Sequence, residues 1–130
     1  MSFSRVKLVI GPNDVEADGT IPFSLIAAAT TNATLVRKGP GIITSIHAIN
    51  VNAAIRYLKF YDTNQPLTAG VGTPVRRYGI PAATTGAGFT LAGLMLKFMN
   101  GIAFVLTTGS ADTDATALTA GDVILTLEYV

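Results

Sequence analysis

The run Arg56-Tyr57-Leu58-Lys59-Phe60-Tyr61-Asp62 sets two cations and one carboxylate three residues apart among aromatic rings. In an enzyme, such a set binds an anion or moves a proton. In a structural protein, the same charges serve as edge and rim groups. The remaining residues with chemical potential help to decide between these uses. His47 is the only histidine. As a general base it needs a nucleophile or a partnering acid within hydrogen-bond reach, and the chain contains no G-x-S-x-G elbow. A single histidine inside an alternating strand reads as a packed, hydrogen-bonded residue. Asp112, Asp114 and Asp122 offer hard oxygen ligands of the kind calcium prefers. The Asp-Thr-Asp opening resembles a calcium loop, but Thr116 and Ala117 stand where that motif continues, and no glutamate closes it. A polar, mobile loop is the reading that remains. The glycine turns at 39–41, 70–72 and 86–88 lack the following helix and lysine of a phosphate cradle. Tyr57, Tyr61 and Tyr78 could form a sugar-stacking platform, yet the chain has no tryptophan, and aromatic residues in sheets mainly pack across strands. These residues point to no enzyme, no cofactor and no metal.

Composition narrows the classes further. The 130 residues fit one domain, 1–130, large enough for a hydrophobic core. Hydrophobic residues make up 49% and charged residues 13%, against roughly 25% charged in an average soluble domain. More apolar side chains are present than one small core needs, and such a surplus goes into subunit contacts. A homo-oligomer is therefore expected. The net charge is +1, and the nine basic residues are scattered, with Arg37-Lys38 and Arg76-Arg77 the only adjacent pairs. That excludes the clustered cations of a nucleic-acid binder. The absence of cysteine removes disulfides, thiol catalysis and zinc-thiolate sites together. Residues 1–14 do not read as a signal peptide, because Pro12, Asn13 and Asp14 end a short apolar run. Residues 91–109 are apolar but interrupted by Lys97 and Asn100, and Asn100-Gly101 is a favoured hairpin pair. Two buried strands joined by a turn fit better than a span of roughly 20 apolar residues, so no membrane is expected as a partner.

The elements that must position these residues read as strands throughout. Alternation over 4–10 sets Val6, Leu8 and Ile10 against Arg5 and Lys7. Further strands are predicted at 20–29, 33–38, 42–52, 54–62, 73–81, 89–96, 102–108 and 122–130. Gly, Pro, Asn and Asp clusters separate them. Pro22 places the 20–29 run at an edge, and the strand at 73–81 reads as another edge. Residues 63–74 and 109–122 read as loops. No segment shows a helical repeat; Ser24–Thr31 is the best candidate and stays a strand or a single turn. The predicted fold class is all-β, an antiparallel β-sandwich or jelly roll of about eight strands. Residues 54–62 carry apolar groups on both faces, which implies that both faces are partly covered. Arg56 and Lys59 are expected to extend their charged heads past apolar stems, and Asp62 to accept backbone hydrogen bonds at a turn.

Two blocks carry a family resemblance. Residues 56–82 hold RYLKFYD, then Pro66, GVGTPVRRYGIPA; residues 101–129 hold GIAFVLTTGSADTDAT and GDVILTLEY. Together they resemble small β-sandwich virion proteins of tailed bacteriophages and prophages. In that pattern an R-Y-L-K-x-Y-D strand is followed by a Pro/Gly loop, an I-P-A turn, and a late G-I-A-x-x-L-T-T-G with an acidic loop. The resemblance spans roughly residues 32–129 and consists of strands and turns rather than a catalytic signature. It implies a structural role, most specifically a capsid decoration (cement) subunit that acts as a homotrimer and clamps the major capsid protein. The location it implies is the virion, assembled in the bacterial host cytoplasm. Residues 1–20 would then be an arm or a swapped strand. A tail, connector or fibre-base subunit is the alternative within the same class, and a lectin-like sugar-binding module the alternative outside it. Arg and Tyr are favoured in interfaces, so the contact residues expected are Phe3, Arg5, Arg37, Arg56, Arg76, Arg77 and Tyr78.

Overall fold

The computed structural model describes residues 19–130 and, ahead of them, one short strand pair, Lys7–Leu8 (β1) antiparallel to Val15–Glu16 (β2). Phe3, Arg5 and most of the expected N-terminal arm lie outside the described residues. Nine further strands follow: Ile21–Ile26 (β3), Thr34–Lys38 (β4), Gly41–Asn50 (β5), Arg56–Asp62 (β6), Arg76–Ile80 (β7), Gly88–Leu91 (β8), Leu96–Phe98 (β9), Gly101–Thr107 (β10) and Val123–Tyr129 (β11). One 3-10 turn, Ala83–Thr85, precedes β8.

The nine strands form two antiparallel sheets, as the predicted β-sandwich requires. One sheet runs β4, β10, β6, β7, and the other runs β3, β11, β5, β8, with β9 beside β8 on the same edge of β5. Alternation decides which side chains meet between them. Ile46 and Ala48 of β5 and Val123, Leu125 and Leu127 of β11 face Leu58 and Phe60 of β6 and Ile102, Phe104 and Leu106 of β10. Phe60 sits at the centre of this layer. Its ring makes edge-to-face contacts with Tyr78, Phe98 and Phe104 at centroid separations of 6.1, 5.9 and 6.3 Å, the geometry that the aromatic quadrupole favours. β7 occupies an edge, as read for residues 73–81, with Pro74 and Pro81 flanking it.

Two readings of the sequence are corrected. The Asn100-Gly101 pair does not close a hairpin: β9 pairs with β5 and β10 pairs with β4 and β6, so the turn carries the chain from one sheet to the other. Gly101 is needed there because a β-carbon would collide with the carbonyl oxygens of Thr63 and Arg37. The apolar run 89–96 is not one strand. It breaks at Ala92-Gly93, where Gly93 takes φ +66°, and resumes as β9 lower on β5. The chain also bends after β3. There Asn32, itself at φ +52°, accepts from the Ala28 N–H at 2.8 Å and donates to the Ala28 and Thr30 carbonyls. Among the described residues no helix is long and apolar enough to cross a membrane.

Candidate functional site

The outer face of the four-stranded sheet is covered by the chain's own loops. Lys59, Tyr57 and Tyr61 of β6 point to this side. Leu67 and Ala69 of the 63–75 loop pack with Leu35 onto Tyr61, Ala103 and Val105. The 108–122 loop closes the rest. Lys59 is only 1% exposed, and its Nζ donates to the Ala111 carbonyl at 2.5 Å. Burial lowers the Lys59 pKa from its ordinary value, while Asp114 and Asp112 oppose that shift. Beside it, Arg77 holds Asp112 in a two-pronged bond, Nε to Oδ1 at 2.6 Å and Nη2 to Oδ2 at 2.7 Å, and so keeps the Asp112 carboxyl below the usual carboxylate range. Asp114 accepts from the N–H groups of Thr116 and Gly109 and from the Thr116 hydroxyl, and its pKa is lowered chiefly by the Thr116 N–H. The two loops touch at Gly70, whose positive φ of +80° leaves no room for a side chain against the Thr113 carbonyl. The Tyr61 hydroxyl lies buried beneath them without a hydrogen-bond partner, and burial raises its pKa. A shallow cleft of about 330 Å³ opens beside this ring, lined among others by Thr63, Leu67, Val71 and Thr73.

A second polar cluster locks one end of the sandwich. Arg56 Nε donates to Asp122 Oδ2 at 3.0 Å, with side-chain exposures of 11% and 6%. Asn52 Nδ2 donates to Asp122 Oδ1 at 3.0 Å, and the Thr119 N–H to Oδ2 at 3.0 Å. Burial pushes the Asp122 carboxyl up, but these donors outweigh it and the pKa ends lowered. Asn50, fully buried, donates to the carbonyls of Ala54 and Ile80 and accepts from the Asn52 N–H. At the other end, Asp62 accepts from the N–H groups of Met99, Asn100 and Gly101 at 3.0, 2.7 and 3.3 Å. Burial raises its pKa and the three donors reverse the shift. Asp62 thus caps a turn as expected, although the turn is the one between β9 and β10 rather than its own.

Among the described residues, no loop covers the outer face of the five-stranded sheet, although Ile42, beside Lys97 at its far end, is only 3% exposed. Register places its residues in rows. Ile26, Ile124 and Ile49 lie side by side; Ser24, Thr126, His47 and Thr90 form the next row; Pro22, Glu128 and Ser45 form a third. Ile26 is 68% exposed, and neighbouring Val51 is 59% exposed. His47 Nδ1 and Thr90 Oγ1 share a hydrogen bond at 2.6 Å, and Thr20 donates to Glu128 at 2.9 Å. Lys97 of β9 projects on the same side, since Leu96 and Phe98 face the core.

The expected contact residues are therefore dispersed. Arg76 is exposed at the edge strand β7. Arg77 is exposed but committed to Asp112. Arg37 donates its Nε–H to the Pro40 carbonyl at 2.7 Å. Arg56 is a correction: buried and paired with Asp122, it has little surface to offer a partner. Tyr78 is a second, wedged between Phe60 and Phe89 on the inner side of β7. Lys59 is a third, because a loop rather than solvent receives its head. The acidic loop is tied internally by Asp112, Asp114 and Asp122, not left as a loose polar segment. Asn50 and Asn52 were not singled out by sequence; the Asn-x-Asn pair directly after an alternating strand was the available signal. Among the described residues, no group of three or more His, Asp or Glu side chains could hold a metal ion. Comparison with protein-family models, curated proteins and solved structures yields no match.

Proposed function

We propose that this protein is a structural subunit of a bacteriophage virion, a head decoration (cement) protein that binds the major capsid protein and works as a homo-oligomer. One observation carries the reading. Among the described residues, the buried and paired charges fasten the chain's own corners and loops, and no loop covers one broad, sparsely charged sheet face. That is the economy of a rigid scaffold with a contact surface rather than of a reaction centre. The strand-and-turn resemblance of residues 56–82 and 101–129 to small phage virion proteins supports the specific role. The mechanism is passive: each subunit adds contact energy across a joint between capsomers, and an oligomer raises the effective concentration at every contact after the first.

The test is cosedimentation of the purified protein with capsid shells that lack it, together with the thermal disruption temperature of those shells. Saturable binding at a copy number comparable to the capsomers, with a raised disruption temperature, is the expected result. No binding to shells, with a few copies per particle located at the tail, would replace this role with that of a tail or connector subunit. Glycan-specific binding without shell binding would replace it with a sugar-binding module.

A further inference from the structure

We infer that residues 109–117 are a displaceable strap, and that the floor beneath it, formed by Lys59, Tyr61 and Arg77, binds an acidic peptide segment of a partner protein. The inference does not rest on the virion reading, since it concerns the covered face of the sandwich and not the open one.

The floor is cationic by construction. Register sets Lys59 of β6 directly opposite Arg77 of β7, and like charges so placed repel one another. Two residues along β6, the Tyr61 hydroxyl is buried without a hydrogen-bond partner. Such a floor calls for acceptors and for negative charge. The strap supplies both: the Ala111 carbonyl accepts from Lys59 Nζ, and the Asp112 carboxylate fills the fork of Arg77. The match is partial. An ammonium group carries three donors and a phenol one, and of these the strap engages a single one, on Lys59.

Little holds the strap down. None of the residues 109–117 is buried, and the first apolar anchor after them is Leu118, at 3% exposure. The strap is closed within itself. The Thr108 N–H donates to the Thr116 carbonyl at 3.3 Å, and Asp114 accepts from the Gly109 and Thr116 N–H groups. The Ala111 carbonyl also accepts from the Asp114 N–H at 3.0 Å, so it keeps a partner when Lys59 lets go. The Arg77 and Asp112 side chains are 47% and 35% exposed, and exposed ion pairs hold weakly. Lifting therefore breaks a few polar contacts and returns a buried ammonium and a buried hydroxyl to water. Segments with few buried apolar contacts are the ones that open locally. The strap meets the neighbouring loop where Thr113 touches Gly70. The next residue, Val71, lines the cleft of about 330 Å³ beside Tyr61, where an entering segment finds its first foothold.

The strap's own chemistry identifies the ligand: a main-chain carbonyl and a carboxylate on successive residues, which an Asp-bearing peptide offers and a phosphodiester does not. A partner's segment competes with a tethered copy whose effective concentration is of millimolar order. Binding is therefore weak in the wild type and strengthens when the strap is loosened.

The test is titration of ¹⁵N-labelled protein, up to about 5 mM ligand, with a peptide copying residues 109–117. The same peptide with asparagine at both aspartate positions is the control. Amide chemical shifts report binding, and circular dichroism checks that each variant is folded. Asp112→Ala, whose strap has lost its hold on Arg77, is expected to bind the acidic peptide at least tenfold more tightly than the wild type, with shifts at Lys59, Tyr61 and Arg77. The asparagine peptide binds at least tenfold more weakly. Adding Arg77→Gln or Lys59→Met to Asp112→Ala removes the gain, while adding Lys97→Met, on the other sheet, leaves it unchanged. No saturable shift in Asp112→Ala, equal binding of the two peptides, or binding indifferent to Arg77→Gln and Lys59→Met would overturn the inference. Each of those outcomes leaves shell binding to be decided by its own assay.

Discussion

The two outer faces of the sandwich are built from the same kind of alternating strand and finished in opposite ways. Over β6 and β10, two loops descend and are fastened by Lys59, Arg77, Asp112 and Asp114, and the strands are buried on both sides. Over β5 and β11, no described loop descends, and serine, threonine, histidine and isoleucine stay open. The covered face shows where the few charges of this chain are used. A buried or half-buried charge is costly unless it is paired or hydrogen-bonded, and each described one is held by a loop carbonyl, a counter-ion or backbone N–H groups. The bare face shows the complement: a surface with little charge needs little desolvation to be covered by a partner.

The largest expected effect is at the anchor that locks one end of the sandwich, where the 108–122 loop returns to β11. Asp122→Ala leaves the Arg56 guanidinium buried beside Asn52 without its counter-ion, and removing one partner of a buried pair costs about 3–5 kcal/mol. Urea unfolding should show the loss, and a change under 1 kcal/mol would mean that the pair does not hold the loop. Asp62→Ala releases three N–H donors at the β9–β10 corner. The expected loss is about 2 kcal/mol, with Asp62→Asn losing less because one acceptor oxygen remains.

Acid acts on the same anchors together. Asp62, Asp112, Asp114 and Asp122 all have folded pKa values below their unfolded ones, so the unfolded chain binds more protons as pH falls. Their stabilisation is complete above the ordinary carboxylate value of about 3.9 and is lost as pH drops through the lower folded values. Unfolding free energy measured from pH 6 to pH 2 should fall below about pH 4, and the fall should be smaller in Asp62→Asn.

Lys59→Met should alter stability by no more than about 1 kcal/mol, since an apolar chain of similar length removes a desolvation cost along with one hydrogen bond. The smallest effect on folding belongs to Ile26→Arg on the open face, within about 0.5 kcal/mol, although the same change is expected to weaken self-association.

Most of the fold was legible because alternation is a local signal. Val123, Leu125 and Leu127 read as a buried face, and they are one. Sheet membership was not legible: Asn100-Gly101 has the chemistry of a hairpin, but the partners of β9 and β10 lie more than thirty residues away and decide otherwise. The fates of Arg56 and Lys59 were hidden for the same reason. Their strand reads identically whether solvent or a loop fifty residues on receives the charge, and only tertiary structure brings Ala111 and Asp122 into reach. Asp62 was readable as a cap because a carboxylate at a strand end seeks N–H donors, while the identity of those donors was not.

His47, the single histidine, stands in the middle of the bare face and reports directly on whether that face is covered. The measurement is its rate of modification by diethylpyrocarbonate at 100 μM protein, in the wild type and in Thr126→Arg, each relative to free imidazole. The account predicts a slow rate in the wild type that rises on dilution, and a fast, concentration-independent rate in the variant. Equal, fast rates in both at 100 μM would contradict it.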